Sequence, residues 1–222
     1  MKILFLGNSF TYCNDLPETV RRLAEGAGKT LSVRSITKGG ASLREFLNPE
    51  NQIGSELQLA LKETWDYVVF QEQSFRPVGN PDAFLSAAEE LSRLFPRCVK
   101  LFYQTWAYRD GSPKLQETNL TYCEMYEGLK RSYRDAATRC GGILVPVGDC
   151  FCRIWKQGSP VNLYRPDDFH PSMEGTYLAA CSFVAEIFKM DPRDLVGVDG
   201  ISSSSASLLR ETAAKGKAHE AN

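Results

Sequence analysis

The 222-residue chain is predicted to fold as an α/β protein whose parallel sheet carries helices on both faces. Five short apolar segments alternate along the chain with longer segments in which apolar residues recur at helical spacing. A continuous apolar run such as residues 3–6 is typical of a strand buried on both faces. The length fits one domain, and 43% hydrophobic residues can build a large core. We therefore predict a three-layer α/β/α arrangement with five strands.

A glycine or a polar residue follows each predicted strand. The strands cover residues 3–6, 31–36, 67–70, 98–103 and 143–147. The first predicted helix begins near Leu16. Pro17 suits its first turn, because a backbone N–H at that position would have no partner within the helix. Further helices are predicted at residues 81–95, 119–140 and 172–190, the last one amphipathic with Ser172 as its N-cap. Its inner stripe is predicted to consist of Met173, Tyr177, Ala180, Cys181, Val184 and Phe188.

Residues 1–200 are predicted to form a single domain, and residues 201–222 a short C-terminal helix with a frayed tail. Leu208 and Leu209 lie among charged and small residues after a serine run, which is typical of one more short helix. We expect the chain to fray from about Lys215 to its end.

The charge balance excludes several classes of protein. With 26 basic and 27 acidic residues the net charge is −1, so no overall field favours nucleic acid or an anionic membrane. No run of 18 apolar residues is present to span a bilayer. The apolar N-terminal run ends at Asn8, before the core of a signal peptide could form, which predicts a cytoplasmic protein. A secreted protein whose leader had been removed would have the same sequence.

The seven cysteines favour neither disulfides nor a metal site. An odd number in a chain of this length argues against a disulfide framework. Cys150 and Cys152 are too close together for the usual zinc pair, and no second pair accompanies them. Small buried thiols are the simplest interpretation, and we expect no metal and no cofactor.

Candidate catalytic side chains lie where the predicted strands end, because ligands of parallel sheets bind outside the carboxyl ends of the strands. Ser9 lies in the turn between the first strand and its helix, where its N–H can face an anion. The chain has two histidines, and His219 is in the tail, so His170 is the candidate general base. Asp167, three residues earlier, can orient its ring. Taken alone, Ser9 would equally suit a helix cap.

These residues resemble the sequence blocks of the SGNH hydrolases, the superfamily of GDSL-like esterases and lipases. Gly7-Asn8-Ser9 matches the block that holds the nucleophilic serine, with Asn8 where aspartate is commonest. Gly39-Gly40 matches the block with an oxyanion glycine, and Asp167-Asp168-Phe169-His170 matches the last block. The order and spacing of the blocks agree over nearly the whole chain.

The resemblance implies a flavodoxin-like fold and a serine hydrolase mechanism. Ser9, His170 and Asp167 would form the catalytic triad. The backbone N–H groups of Ser9 and Gly40 would bind the oxyanion, together with a side-chain amide from the third block. Losing one such donor typically costs about 10²–10³ in rate.

The third block departs from the family pattern. The usual oxyanion asparagine is absent, and Gln71-Glu72-Gln73-Ser74 stands in its place. A glutamine amide carries the same NH₂ donor as asparagine, so Gln73 or Gln71 can complete the oxyanion hole. Gln73 is slightly favoured because it lies where the loop should turn over the site, whereas Gln71 at the strand end can instead support the backbone. Glu72 would repel an oxyanion, so its side chain is expected to point away and bond to backbone or a tyrosine. The variant is similar to a sub-branch of the superfamily and to the glutamine-rich block of sugar O-acetyl esterases.

The resemblance implies a serine esterase, and the absence of a long apolar lid predicts that its substrates are small acyl esters. O-acetyl esters are favoured, and an acylated sugar is a candidate substrate through the likeness of the third block to that of sugar O-acetyl esterases. Asn8, Tyr12 and Trp106 are predicted to contact this small-molecule substrate. Phe75 and Tyr108 are candidate aromatic wall residues. The sequence has no long apolar lid, which disfavours a true lipase.

Two alternatives keep the fold without the activity. A catalytically silent ligand-binding protein is favoured by the altered third block, whereas the complete set of Ser9, Asp167 and His170 argues against it. A nucleotide or phosphate binder would also use N–H groups at the start of the first helix. The chain lacks the glycine fingerprint and the lysine-containing phosphate loop of such proteins.

Overall fold

The computed structural model describes residues 1–197 and 200–217, and its centre is one sheet with helices on both faces. The strands are β1 (Lys2–Gly7), β2 (Ser32–Thr37), β3 (Tyr67–Phe70), β4 (Val99–Tyr103) and β5 (Ile143–Val145). They lie in the order β2-β1-β3-β4-β5, and every neighbouring pair is parallel. The predicted five-stranded parallel sheet is therefore confirmed.

The strand order fixes where a ligand can bind. The chain first crosses from β1 to β2 and then returns to the other side of β1 to form β3. In sheets of this order the loops that leave β1 and β3 diverge, and ligands bind between them at the carboxyl edge. Ser9 follows β1, and the third-block glutamines follow β3. The sheet thus places the candidate nucleophile and the candidate oxyanion loop beside each other.

The helices include every one that the sequence predicted. In chain order they are α1 (Ser9–Tyr12), α2 (Leu16–Gly26), α3 (Leu43–Phe46), α4 (Gln52–Ala60), α5 (Arg76–Gly79), α6 (Pro81–Leu94), α7 (Pro113–Gln116), α8 (Tyr122–Arg139), α9 (Val147–Lys156), α10 (Met173–Phe188) and α11 (Ser203–Lys217). Four of those that were not predicted have only four residues, which is too short for a helical period to be visible.

The fifth strand is shorter than predicted because a helix follows it at once. Pro146 cannot donate to a sheet ladder, so β5 ends at Val145. Val147, which was predicted to close the strand, is instead the first residue of α9. Residues 143–147 form one continuous apolar run that covers β5 and the first residue of α9. Hydrophobic periodicity therefore does not show where the strand ends and the helix begins.

Helix α10 is buried nearly all round, which corrects the predicted amphipathic stripe. Residues 175–187 are all buried, because α2 and α11 both pack against this helix. Met173, which was predicted to face inwards, is 46% exposed. Ser172 is the N-cap, as predicted, and its hydroxyl accepts a hydrogen bond from the Gly175 N–H at 3.1 Å.

The C-terminal segment is part of the core. Helix α11 packs against α9 and α10, and Leu209 on its inner face is fully buried. Residues 215–217, for which fraying is predicted, lie within α11. Residues 218–222, including His219, lie outside the described residues. Within the described ranges no helix is both long and apolar enough to cross a bilayer.

Candidate active site

Ser9 is the first residue of α1 and follows β1 after a single residue. Its predecessor Asn8 caps the helix, with Oδ1 accepting from the Phe10 N–H at 3.1 Å. Neither the Ser9 N–H nor the Gly40 N–H meets a backbone or side-chain acceptor in residues 1–197 and 200–217. Gly40 is exposed and has a φ of +69°, a conformation that glycine adopts at little cost. Both N–H groups are therefore free to bind an anion.

Ser9, His170 and Asp167 form one line of hydrogen bonds. Ser9 Oγ lies 2.8 Å from His170 Nε2, and His170 Nδ1 lies 2.7 Å from Asp167 Oδ2. The imidazole ring packs edge-on against Phe10, with 5.6 Å between the ring centroids. The structure thus brings together the three residues that the sequence predicts as a triad. In this arrangement a general base can take a proton from the serine hydroxyl.

Asp167 is held by three hydrogen bonds. Oδ1 accepts from the backbone N–H groups of His170 at 3.0 Å and Phe169 at 3.2 Å, while Oδ2 faces the ring. Partial burial raises the pKa of Asp167, but the bonds from the His170 ring and from these N–H groups outweigh it and lower the pKa below its ordinary value. Asp167 is ionised at neutral pH, so it can hold the Nδ1–H tautomer of His170.

Asn8 was predicted to contact substrate, and the structure corrects this. Asn8 is 2% exposed, and both ends of its side-chain amide are bonded to protein. Nδ2 donates to the Ala41 carbonyl at 2.9 Å, and Oδ1 also accepts from Gln71 Nε2 at 3.0 Å. Asn8 therefore joins the loops after β1, β2 and β3, and it acts on the site by holding these loops in place.

Gln71 and Gln73 have different surroundings. Gln71 is fully buried, and its Oε1 accepts from the Asn8 N–H and the Thr11 hydroxyl, both at 2.9 Å. Its Nε2 donates to Asn8 and to the Glu72 carbonyl, so the amide has no donor left for an oxyanion. The Gln73 Oε1 accepts from the N–H groups of Phe75 and Arg76, both at 2.9 Å. The Nε2 of Gln73 has only a long 3.5 Å contact with the Ser74 hydroxyl, so it retains donor capacity.

Glu72 is a fully buried carboxylate between the second-block and third-block loops. Its Oε1 accepts from the N–H groups of Leu43 at 3.1 Å and Gln73 at 2.7 Å, so it bonds to backbone as predicted. Its Oε2 is buried and has no partner among the described residues. Burial raises the pKa of Glu72 to about 7, although the two N–H groups and the charge of Arg76 act in the opposite direction. Glu72 therefore titrates near neutral pH.

The raised pKa of Glu72 predicts how protein stability depends on pH. Between its ordinary value of 4.5 and about 7 the native state binds the proton more tightly than the unfolded chain does. Stability from this group is therefore lost as pH rises through that window, by about 3 kcal/mol in total. Glu72→Gln cannot ionise, so its free energy of unfolding relative to wild type should rise by about 2–3 kcal/mol between pH 4 and pH 8. Urea unfolding at both pH values measures this, and an unchanged difference would contradict it.

The predicted aromatic wall is only partly present. Trp106 is fully buried, so the prediction that it contacts substrate is wrong. Its ring stacks between those of Phe10 and Phe151, with centroids 4.7 and 4.1 Å apart. Tyr108 is also buried and its hydroxyl is 2.8 Å from that of Ser74. Of the predicted contacts, Tyr12 is the one that is well exposed, at 47%.

Tyr12 lies on α1, the helix that begins at Ser9, and its hydroxyl approaches the second-block loop at Gly39. Its hydroxyl is 3.3 Å from the position that a Cβ atom on Gly39 would occupy. A side chain at Gly39 would therefore crowd this hydroxyl. Tyr12 is an exposed aromatic side chain whose hydroxyl lies beside Gly39, and it remains a candidate contact for substrate.

The cysteines do not form a site in the described residues. All seven are unpaired, and four of them are buried. The part of the chain that the structure describes brings no three histidine, cysteine or acidic side chains together as a ligand set for a metal. Burial raises the pKa of the thiols of Cys150 and Cys181 to about 12, so these thiols are protonated and unreactive at neutral pH.

Comparison with known proteins finds related structures. No family model matches the chain, and neither does any curated protein sequence. A candidate SGNH hydrolase from Slackia heliotrinireducens is 34% identical, over 84% of this chain and 98% of its own, with a TM-score of 0.74. A DUF4886 family protein from Bacteroides uniformis is 20% identical over 100% and 96%, with a TM-score of 0.85. An acetylxylan esterase from Geobacillus stearothermophilus is 18% identical over 91% and 96%, with a TM-score of 0.64. These last two share the fold.

Proposed function

Because this chain belongs to the SGNH hydrolase superfamily, we propose that it is a serine esterase that cleaves small acyl esters through an acyl-enzyme. The hydrogen-bonded line from Asp167 through His170 to Ser9 carries the proposal. Two unpartnered N–H groups, those of Ser9 and Gly40, support it, because an acyl transfer needs donors where negative charge develops.

The proposed reaction proceeds in two halves. Ser9 Oγ attacks the ester carbonyl while His170 Nε2 takes the hydroxyl proton, and the same proton then goes to the departing alcohol. Water next gives a proton to His170 and attacks the acyl-enzyme, which releases the acid and restores Ser9. Asp167 stabilises the imidazolium in both halves. The N–H groups of Ser9 and Gly40 bind the oxyanion, and the Gln73 amide serves as the third donor.

We propose acetyl as the preferred acyl group and a sugar as the alcohol. The sequence has no long apolar segment that could cover a fatty acyl chain. The exposed Tyr12 ring beside Gly39 offers a flat face of the kind on which sugar rings pack. The acetylxylan esterase that shares this fold acts on an acetylated sugar polymer, as its name states, which is consistent with such a substrate.

The acyl preference is tested with p-nitrophenyl acetate, butyrate and octanoate. We expect kcat/KM to be highest for acetate and to fall at least about tenfold by octanoate, because a site that fits an acetyl group excludes the longer chain sterically. Release of acetate from acetylated xylo-oligosaccharides then tests whether the alcohol is a sugar. Deacetylated xylo-oligosaccharides are the control. Faster turnover of octanoate than acetate would contradict the acyl preference.

A catalytically silent binding protein remains the second candidate, because the third block lacks the usual oxyanion asparagine. Reaction with a fluorophosphonate probe separates the two candidates. An esterase is expected to be labelled at Ser9 in a manner that depends on His170. A folded wild-type protein that stays unlabelled and releases no acetate would favour the binding protein.

A further inference from the structure

A polar cluster around Asn14 joins the segment that carries Ser9 to the loop that carries His170. All four partners of the Asn14 side chain lie within six residues of His170. The two N–H bonds of Nδ2 are shared among three acceptors, the Pro171 carbonyl at 3.0 Å, the Ser172 carbonyl at 3.0 Å and the Thr176 hydroxyl at 2.9 Å. Oδ1 accepts from the Arg165 guanidinium at 2.6 Å.

Arg165 makes the histidine loop a closed unit. Its backbone N–H donates to the His170 carbonyl at 2.9 Å, and an antiparallel bridge pairs Tyr164 with Pro171 just outside that bond. The Arg165 side chain leaves this closed loop and reaches Asn14. The loop is therefore attached to the nucleophile segment at both of its ends through one asparagine.

The backbone at Asn14 is held in an uncommon conformation. Asn14 has φ 54° and ψ 21°, and Asp15 has φ 50° and ψ 61°, so two successive residues other than glycine are left-handed. Single asparagine and aspartate residues visit this region more readily than most, and two in succession persist where the surrounding contacts determine them. This conformation lets Asn14 face the histidine loop while the Asp15 carboxylate caps α2 through the Glu18 N–H.

We propose that Asn14, together with Arg165, is a positioning residue that sets the distance between Ser9 Oγ and His170 Nε2. This rests on the proposed function. The bond between Asp167 and His170 joins residues three apart in one loop, so it needs no help from Asn14. The bond between Ser9 and His170 joins residues 161 apart, and Asn14 bridges the same two segments. Loosening the Asn14 cluster should break the second bond and spare the first.

The test compares Asn14→Gly, which keeps the left-handed backbone accessible, with Asn80→Ala as a matched control. Asn80 caps α6 through the Ala83 N–H and has no side-chain bond to the histidine loop. For Asn14→Gly we expect kcat for p-nitrophenyl acetate and the rate of fluorophosphonate labelling to fall about 10–100-fold, with KM changed less than about twofold. Asn80→Ala should change neither rate. The double variant with Arg165→Gln should be no slower than Asn14→Gly, because the Arg165 side chain acts through its contact with Asn14, which Asn14→Gly already removes.

NMR tests the same geometry without relying on activity. The chain has two histidines, so the ring signals of His170 are readily assigned by His170→Ala. Ser9→Ala should shift the His170 Nε2 signal in the wild-type background and leave it unshifted in the Asn14→Gly background. The Nδ1–H signal of the bond to Asp167 should persist in both.

Each outcome bears on a separate claim. Loss of the Nδ1–H signal in Asn14→Gly, or an Nε2 signal that still responds to Ser9→Ala there, would overturn the positioning role. So would wild-type rates in Asn14→Gly. A wild-type protein that neither labels nor hydrolyses esters, but whose Ser9-dependent Nε2 shift is lost in Asn14→Gly, would overturn the proposed function and support the positioning role.

Discussion

Replacing Ser9 with alanine should lower kcat for p-nitrophenyl acetate by at least about 10⁴-fold, because no acyl-enzyme can form. His170→Ala should cost nearly as much, since the hydroxyl 2.8 Å from Nε2 then lacks a base. The double variant should be no slower than either single variant, because the two residues act as one unit. Initial rates at pH 7.5, with the thermal unfolding midpoint of each variant, measure this.

Ser55→Ala is the matched control for the loss of a serine hydroxyl. Ser55 lies on the exposed side of α4, and its hydroxyl donates to the Gln52 carbonyl within the same helix. This variant should keep wild-type kcat and KM. A Ser9→Ala protein that is folded and retains more than about a tenth of wild-type kcat would contradict the assignment of Ser9 as nucleophile.

The fold was predictable because its strongest signals are local. An apolar run such as residues 3–6 has no solvated face, and only a doubly covered strand buries it fully. The amphipathic prediction for α10 was wrong for a nonlocal reason. The second face of α10 is covered by α11. The sequence of residues 173–188 alone does not indicate that a later helix will pack against that face.

The site was predictable only where its chemistry is rare in the sequence. One histidine outside the tail, with an aspartate three residues before it, pointed directly to His170 and Asp167. Asn8 and Trp106 were assigned to substrate because their chemical types suit it, and their burial depends on packing that the sequence does not display. Asn14 was missed because its four partners are more than 150 residues away.

Trp106→Ala should be among the most destabilising single substitutions in this chain. Trp106 is fully buried, its ring stacks on Phe10 and Phe151, and Nε1 donates to the Phe169 carbonyl at 3.0 Å. Removing this side chain should cost about 3–5 kcal/mol of unfolding free energy. In a chain of this length that corresponds to a fall in the unfolding midpoint of roughly 6–20 °C. Trp106→Phe, which keeps a stacked ring and loses the Nε1–H bond, should cost less than half as much.

Trp155 provides a control that separates burial from residue type. It is 37% exposed, stacks on Tyr122 and donates to Asp110 at 3.2 Å, so Trp155→Ala should cost only about 1 kcal/mol in urea unfolding. Equal losses for the two tryptophans would contradict the packing described for Trp106. Phe10 adjoins Ser9 and Phe169 adjoins His170, so Trp106 packs against or bonds to the neighbours of both proposed catalytic residues. Trp106→Ala should therefore lower kcat even at temperatures where the variant is fully folded, whereas Trp155→Ala should leave kcat unchanged.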